Sequence, residues 1–235
     1  MDLVKNGLST WKIDVDDNEL NSLSAFEKEL LRVNEYMNLT AIVDHDEVQI
    51  KHFLDSFSLL TLGLIKENMK MIDIGCGAGF PSIPIKIILP SIEMTLLDSL
   101  AKRIDFLTNA ARLLHLQSIT GIHGRAEELS RTPAHREKYD IATARGVSNL
   151  SALCEYCLPF LKVGGYFLAM KGPDAEAEVE NAKNAIGTLG GKLIETKKIS
   201  LPFSDIIHSI VIIKKISQIQ TKYPRKQAQI AKNPL

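Results

Sequence analysis

The segment Asp73-Ile-Gly75-Cys-Gly77-Ala-Gly79-Phe80-Pro81 constrains this chain more than any other. It ends the short apolar run Met69-Lys-Met-Ile-Asp-Ile74 and precedes the apolar stretch from Ile83 to Leu89. The run reads as a buried strand, and the stretch after it as a helix closed by Pro90. Glycines at a strand-to-helix turn permit positive φ and close approach of a ligand to the backbone. In open α/β sheets, ligands bind outside the carboxyl ends of the strands. The motif therefore predicts an α/β fold with a binding crevice at this turn.

The chain repeats the pattern downstream. Residues 93–98, 119–123, 138–144 and 165–170 read as strands, and 100–114, 148–161 and 174–189 as helices. Residues 192–200 and 209–215 read as two closing strands with no helix between them. Alternation of this kind predicts a mostly parallel sheet covered on both faces, with an antiparallel C-terminal hairpin at its edge. Upstream, Leu23, Phe26, Leu30, Val33 and Met37 mark one face of a helix over 17–38, capped by Asp17 or Asn18. Ile50, Phe53, Leu54, Phe57, Leu60 and Leu64 mark a second, from about residue 47 to 64. The expected organisation is a helical cap over 1–68, a ligand-binding α/β domain over 69–216 and a basic tail over 217–235.

Charge bears on the partner. Lys plus Arg and Asp plus Glu both number 28 among 235 residues, and a neutral total argues against a nucleic-acid binder. The total hides a gradient. Residues 1–50 hold 11 acids and 4 bases, whereas residues 201–235 hold 6 bases and one acid. The N-terminus has no signal-peptide pattern, and no apolar stretch is long enough to span a bilayer. Three cysteines, an odd number, suit a reducing cytoplasmic compartment better than a disulfide framework.

The glycine spacing discriminates between ligands. Dinucleotide folds favour G-x-G-x-x-G with a pyrophosphate at the helix start, whereas here the glycines stand at 75, 77 and 79 and Phe80 follows. Asp73 just before the turn disfavours a phosphate and suits a cationic ligand group. Asp98, at the end of the second strand, can accept both ribose hydroxyls of an adenosine or cap the helix over 100–114. The ribose role fits a nicotinamide dinucleotide and S-adenosylmethionine equally.

Residues beyond these two motifs carry a resemblance. The glycine turn is followed by Leu96-Leu-Asp98-Ser99 with Lys102-Arg103, by His123-Gly-Arg-Ala126-Glu127-Glu128, and by Tyr139-Asp140 with Ala144-Arg145. With Asn38-Leu-Thr40, His52-Phe-Leu-Asp55-Ser56, Lys171-Gly172 and Tyr223-Pro-Arg225-Lys226, this order resembles the bacterial small-subunit ribosomal RNA guanine-N7 methyltransferases, once called glucose-inhibited division protein B. The resemblance covers residues 34–235. It implies a Rossmann-like class I methyltransferase fold, S-adenosylmethionine as cofactor, and a guanine in the 530 loop of 16S ribosomal RNA as acceptor. It also implies that Asp73, Gly75, Gly77, Gly79 and Phe80 hold the methionine and ribose portions. Asp98 with Ser99 would take the ribose, Ala126 and Glu127 would frame the adenine, and Arg145 would stand at the mouth. The chain departs from the family at Ser82, Gly146, Ile207 and Gln227-Ala-Gln-Ile230, where the family usually has glycine, alanine, arginine, and a Gly and a Pro.

The chemistry this implies asks little of the protein. Guanine N7 carries a lone pair and no proton, so the protein need only align donor and acceptor. The chain lacks the Asn/Asp-Pro-Pro-aromatic motif of exocyclic-amine methyltransferases and the Pro-Cys pair of cytosine-C5 enzymes. Arg145 and Lys171 are the candidates for the acceptor pocket, because Arg pairs well with guanine O6 and with phosphate. Lys171, Lys222, Arg225 and Lys226 are candidate RNA contacts, with Tyr223 placed for base stacking. The basic excess is expected around the cofactor mouth, near Arg145, Lys171 and residues 214–232. His52 and Asp55 share a helix face and suit either a site-facing role or a structural pair. Cys154-Glu-Tyr-Cys157 reads as packing, since no second ligand pair accompanies it, and no metal is expected. Two rival readings are a nicotinamide-dependent oxidoreductase, disfavoured by the glycine spacing, and a non-catalytic RNA-binding or ribosome-assembly protein.

Overall fold

Asp16 opens the principal N-terminal helix. Its carboxylate accepts the Glu19 N–H at 2.7 Å while Glu19 accepts the Asp16 N–H at 2.7 Å, a reciprocal capping box. The computed structural model describes residues 1–235. In it α1 (Asp2–Thr10) and α2 (Asp17–Met37) are followed by a continuous helical stretch over residues 45–62. That stretch comprises α3 (His45–Val48), a π-helical turn (Gln49–Leu54), α4 (Asp55–Phe57) and a 3₁₀ turn (Ser58–Leu62). The sequence pattern predicts an unbroken helix there; the structure widens it by a π turn that carries His52. The pattern also misses α1, whose Val4 and Leu8 are buried.

Strands β1 (Lys70–Ile74), β2 (Glu93–Asp98), β3 (Ile119–His123), β4 (Tyr139–Arg145), β5 (Leu161–Lys171), β6 (Gly191–Ser200) and β7 (Ile207–Lys215) form one sheet. Their order is β3-β2-β1-β4-β5-β7-β6. The first five run parallel, and β7 inserts antiparallel between β5 and β6. The strands are linked by α5 (Ser82–Ile88), α6 (Ala101–Leu113), α7 (Ala126–Leu129), α8 (Leu150–Cys157) and α9 (Glu176–Thr188), and α10 (Gln227–Lys232) closes the chain.

Side chains alternate across the sheet, as successive strand residues must. Met71, Ile141, Leu168, Ile210 and Ile212 enter one core, which also holds Leu23 and Phe26 of α2, Phe53, Ile83 of α5 and Leu107 of α6. Ile72, Ala142, Ala169, Val211 and Ile213 enter the other, with Leu153 and Cys154 of α8 and Ala182 and Ile186 of α9. The N-terminal helices thus share a single core with one face of the sheet.

The chain after β7 does not simply lie over the surface. Ile219, Tyr223 and Ile230 are buried, and residues 227–232 form α10. The strand order reverses beside β1, whose neighbours are β2 and β4, so the crevice at their carboxyl ends is where such folds bind ligands.

Candidate active site

Three adjoining cavities form a trough along the ends of β1, β2 and β4. The first, about 280 Å³, has Ile74, Leu97, Ala126, Glu127 and Tyr156 in its wall. The second, about 370 Å³, is bordered by Thr40, His52, Gly77, Phe80 and Arg103, and shares Gly75, Asp98, Ser99 and Val147 with the first. The third, about 340 Å³, is bordered by Asp55, Met170, Lys171 and His208, and shares Arg145 and Gly146 with the second. The shared residues make the three compartments one path.

The glycine turn builds the middle of the path. Gly75 has φ +72°, and a side chain there would meet Val147 Cγ2 at 2.6 Å, so only glycine fits. The Gly77 N–H donates to Asp98 Oδ2 at 3.0 Å, and the Leu100 N–H donates to Asp98 Oδ1 at 2.9 Å. Asp98 therefore caps the turn before α6 and also borders the trough. Arg103 Nη1, 3.3 Å from Asp98 Oδ2, offsets the cost of burying that charge.

Two expected cofactor contacts lie elsewhere. Asp73 and Gly79 border none of the three compartments. Gly79 is a packing glycine: a side chain there would meet Leu107 at 2.6 Å and Ile83 at 2.8 Å. Asp73 is fully buried beneath the turn, where Oδ2 accepts the Ser82 hydroxyl at 2.5 Å and Oδ1 has no partner. Burial raises its pKa to about 7, against the lowering effect of Ser82. An orphaned carboxylate oxygen under the turn fits a cofactor that brings positive charge above it.

Arg145 commands the junction between the second and third compartments. Nη1 lies 2.7 Å from Asp55 Oδ2 and donates to the Lys51 carbonyl at 3.3 Å, while the guanidinium sits 5.3 Å from the Phe80 ring centre. Nη2 is 3.3 Å from His52 Nδ1. Arginine can only donate, so Nδ1 accepts and the His52 proton resides on Nε2, 2.8 Å from Thr40 Oγ1. His52 stacks on Phe80 with ring centres 4.3 Å apart. Burial and the Arg145 charge lower its pKa to about 4, which keeps the ring neutral. His208 Nδ1 lies 3.0 Å from Asp55 Oδ1. Burial raises the Asp55 pKa, but His208 and Arg145 outweigh it, and the net shift is downward.

The expected basic rim takes a different form. Lys171 is 10% exposed, with Nζ 2.7 Å from Glu178 Oε2 and 2.7 Å from the Ser148 carbonyl. It fastens the loop after β4 to α9. Arg225 pairs with fully buried Glu155 at 2.7 Å, and Tyr223 is buried instead of offered for stacking. Lys215 is also buried, 3.5 Å from Glu137. These cations spend their charge inside the molecule, whereas Lys222 and Lys226 remain exposed. Cys154 and Cys157 are buried free thiols whose pKa values are raised by burial, as packing residues require.

Ser99, Ala126 and Glu127 border the first compartment, and Gly75, Gly77 and Phe80 the second. Thr40, His208, Tyr156 and Gln227 also border the trough, and no local spacing in the sequence places them there. His208 stands 153 positions from its partner Asp55, and no local spacing signals such a pair. No group of three His, Cys, Asp or Glu side chains is placed to hold a metal ion, and no helix is long and apolar enough to cross a membrane.

A doubly wound sheet of this strand order, an acid-and-glycine turn after β1 and a carboxylate closing β2 define a class I S-adenosylmethionine-dependent methyltransferase. Solved structures share the fold. A SAM-dependent methyltransferase from Aquifex aeolicus superposes with TM-score 0.54 at 16% identity, over 80% of this chain and 98% of that one. M. jannaschii TYW2, solved in complex with AdoMet, gives TM-score 0.52 at 17% identity, over 69% and 77%. The sequence narrows the class. Residues 19–207 match the model of the GidB family, rRNA small subunit methyltransferase G. Proteins of that description from Alkaliphilus metalliredigens and Acetivibrio thermocellus are 50% and 48% identical, over 99% of this chain and 98% and 96% of theirs. The chain belongs to the small-subunit rRNA methyltransferase G family and is a ribosomal RNA methyltransferase.

Proposed function

We propose that this enzyme transfers the methyl group of S-adenosylmethionine to N7 of a guanine in the 530 loop of 16S ribosomal RNA. The observation that carries this reading is the fixed Arg145 guanidinium at the junction of the second and third compartments, in a chain of the small-subunit rRNA methyltransferase G family. Asp55 is held by Arg145 and His208, and Glu178 by Lys171. His52 has its lone pair on Arg145 and its proton on Thr40. His208, backed by Asp55, leaves its Nε2 without a hydrogen-bond partner beside the third compartment, but N7 carries no proton and calls on no base.

The trough divides the substrates accordingly. The first compartment takes the adenine, between Ala126 and Glu127, whose carboxylate meets no cation and suits the exocyclic amine. Asp98 takes the ribose hydroxyls, and Gly75 and Gly77 take the methionine portion. The cofactor supplies an electrophilic methyl group on a sulfonium. Arg145, held in place by Asp55 and His52, presents the edge of its guanidinium to guanine O6 and phosphate. Lys171 acts by position, since it holds the Ser148 loop that borders the first compartment.

The test is incubation of the purified enzyme and labelled cofactor with small subunits and with protein-free 16S RNA from cells lacking the gene. Mass spectrometry of the digested RNA should find one N7-methylguanosine in the 530 loop. Methylation of an exocyclic amine, a ribose or another region would overturn the assignment, and binding without turnover would favour a non-catalytic assembly role.

A further inference from the structure

The segment after β7 is fastened along its whole length. Arg136 donates to the carbonyls of Ile219, Gln220 and Tyr223 at 3.0–3.3 Å. Arg131 donates to those of Thr221 at 3.3 Å, Lys222 at 2.9 Å and Pro224. Glu155, with no exposed surface, accepts the Arg225 backbone N–H at 2.7 Å and its guanidinium at 2.7–3.1 Å. Ile230 is fully buried. Charge-assisted bonds of this number fix a segment in one place, which a loosely held RNA-binding tail does not need.

What they fix is the position of α10. Its Gln227 and Ala231 complete the wall of the first compartment, opposite in sequence to Ala126 and Glu127 but in the same cavity. The Gln227 carboxamide makes no hydrogen bond within the chain, although it stands in a cavity that also presents the uncommitted Glu127 carboxylate and Tyr156 hydroxyl. A carboxamide is complementary to the N6/N7 edge of adenine, donating to N7 and accepting from N6. In the assignment above Glu127 takes one hydrogen of the N6 amine, which leaves the second N6 hydrogen and N7 to be read.

We infer that α10 is the closing wall of the adenine compartment and that Gln227 pairs with the N6/N7 edge of the cofactor's adenine. The inference rests on the reading of the trough as the S-adenosylmethionine site. It reassigns the end of the chain from RNA grip to cofactor selection.

Calorimetric titration of the full-length protein with S-adenosylhomocysteine and with its 7-deaza analogue, S-tubercidinylhomocysteine, provides the test. Wild type should bind the 7-deaza ligand more weakly. Gln227→Leu, similar in size on an exposed position, should weaken S-adenosylhomocysteine about 5- to 10-fold. The 7-deaza ligand should then bind the variant almost as well as S-adenosylhomocysteine does, because the lost contact is the same one. Affinity for small subunits, measured without cofactor, should not change. Equal losses for both ligands, no loss, or a loss confined to the subunit would each overturn the role. Failure of wild type to bind S-adenosylhomocysteine at all would instead overturn the cofactor reading beneath it.

Discussion

Arg145 Nη1 lies 2.7 Å from Asp55 Oδ2, so the last residue of β4 is bonded to a helical layer 90 positions away. The pair is largely shielded from water and aims a guanidinium along the trough. Arg145→Ala leaves Asp55 buried with His208 alone, which costs about 3 kcal/mol of stability. It should also lower methyl transfer about 100-fold through lost alignment. Arg145→Lys keeps the charge but not the fork that reaches Asp55, Lys51 and His52 together, and should recover more stability than rate. Urea midpoints and single-turnover rates separate the two effects; a variant with normal turnover would contradict the role.

His52 predicts an acid limit. Its pKa of about 4 lies below the ordinary histidine value, so the unfolded chain gains a proton near pH 6.5 that the native protein refuses. The native state therefore loses stability as pH falls from 6.5 to 4. His52→Gln cannot take up that proton, and its stability should decline less than that of wild type between pH 7 and pH 5. Parallel declines in denaturant midpoints would count against a neutral buried ring.

Asp73 predicts the opposite slope. Its folded pKa of about 7 exceeds the unfolded value, so the native state holds a proton the unfolded chain releases near pH 4. Stability from this group is complete below pH 4 and is lost as pH rises toward 7. Asp73→Asn should flatten that loss. Positive charge arriving above the glycine turn favours the ionised carboxyl, so cofactor binding near pH 7 should release a fraction of a proton. Titration calorimetry in two buffers of different ionisation enthalpy measures it, and Asp73→Asn should abolish the difference.

Glu155 and Arg225 are unequal partners. Glu155→Gln retains an acceptor and frees Arg225 into solvent, at a cost of about 2 kcal/mol. Arg225→Ala strands a carboxylate with no exposed surface and should destabilise more. In both variants the amides of residues 219–232 should exchange faster than in wild type, while those of β1 and β4 keep their protection. Hydrogen exchange read by mass spectrometry checks both points.

The parts of this molecule readable from its sequence are those made by local rules. Residues 93–98 and 119–123 are strands to the residue, because apolar runs and turn residues mark both ends. Asp98 is legible because a carboxylate that closes the second strand a short way after the glycine turn either takes a ribose or caps the next helix. Val4, Leu8 and Trp11 fall at helical steps and would have disclosed α1. Other features depend on residues far apart. The His208–Asp55 contact exists only once β7 inserts beside β5. Nothing in Tyr223-Pro-Arg225 tells a solvated tail from one locked by Glu155, 70 positions earlier. The π turn leaves no mark in the sequence because it displaces a helix by one residue without changing which residues are apolar.

The common core of α2 and the sheet has a mechanical meaning. Phe26 packs with Phe80 of the glycine turn and Phe106 of α6, its ring centre 5.5 Å and 6.3 Å from theirs, so the seam between the N-terminal helices and the α/β core is filled with interlocked aromatic rings. Such a seam does not hinge. The nucleotide must come to a trough already shaped, with loops at its rim giving way, and the work of extracting a base from its RNA context falls on the RNA's own flexibility and not on a closing jaw.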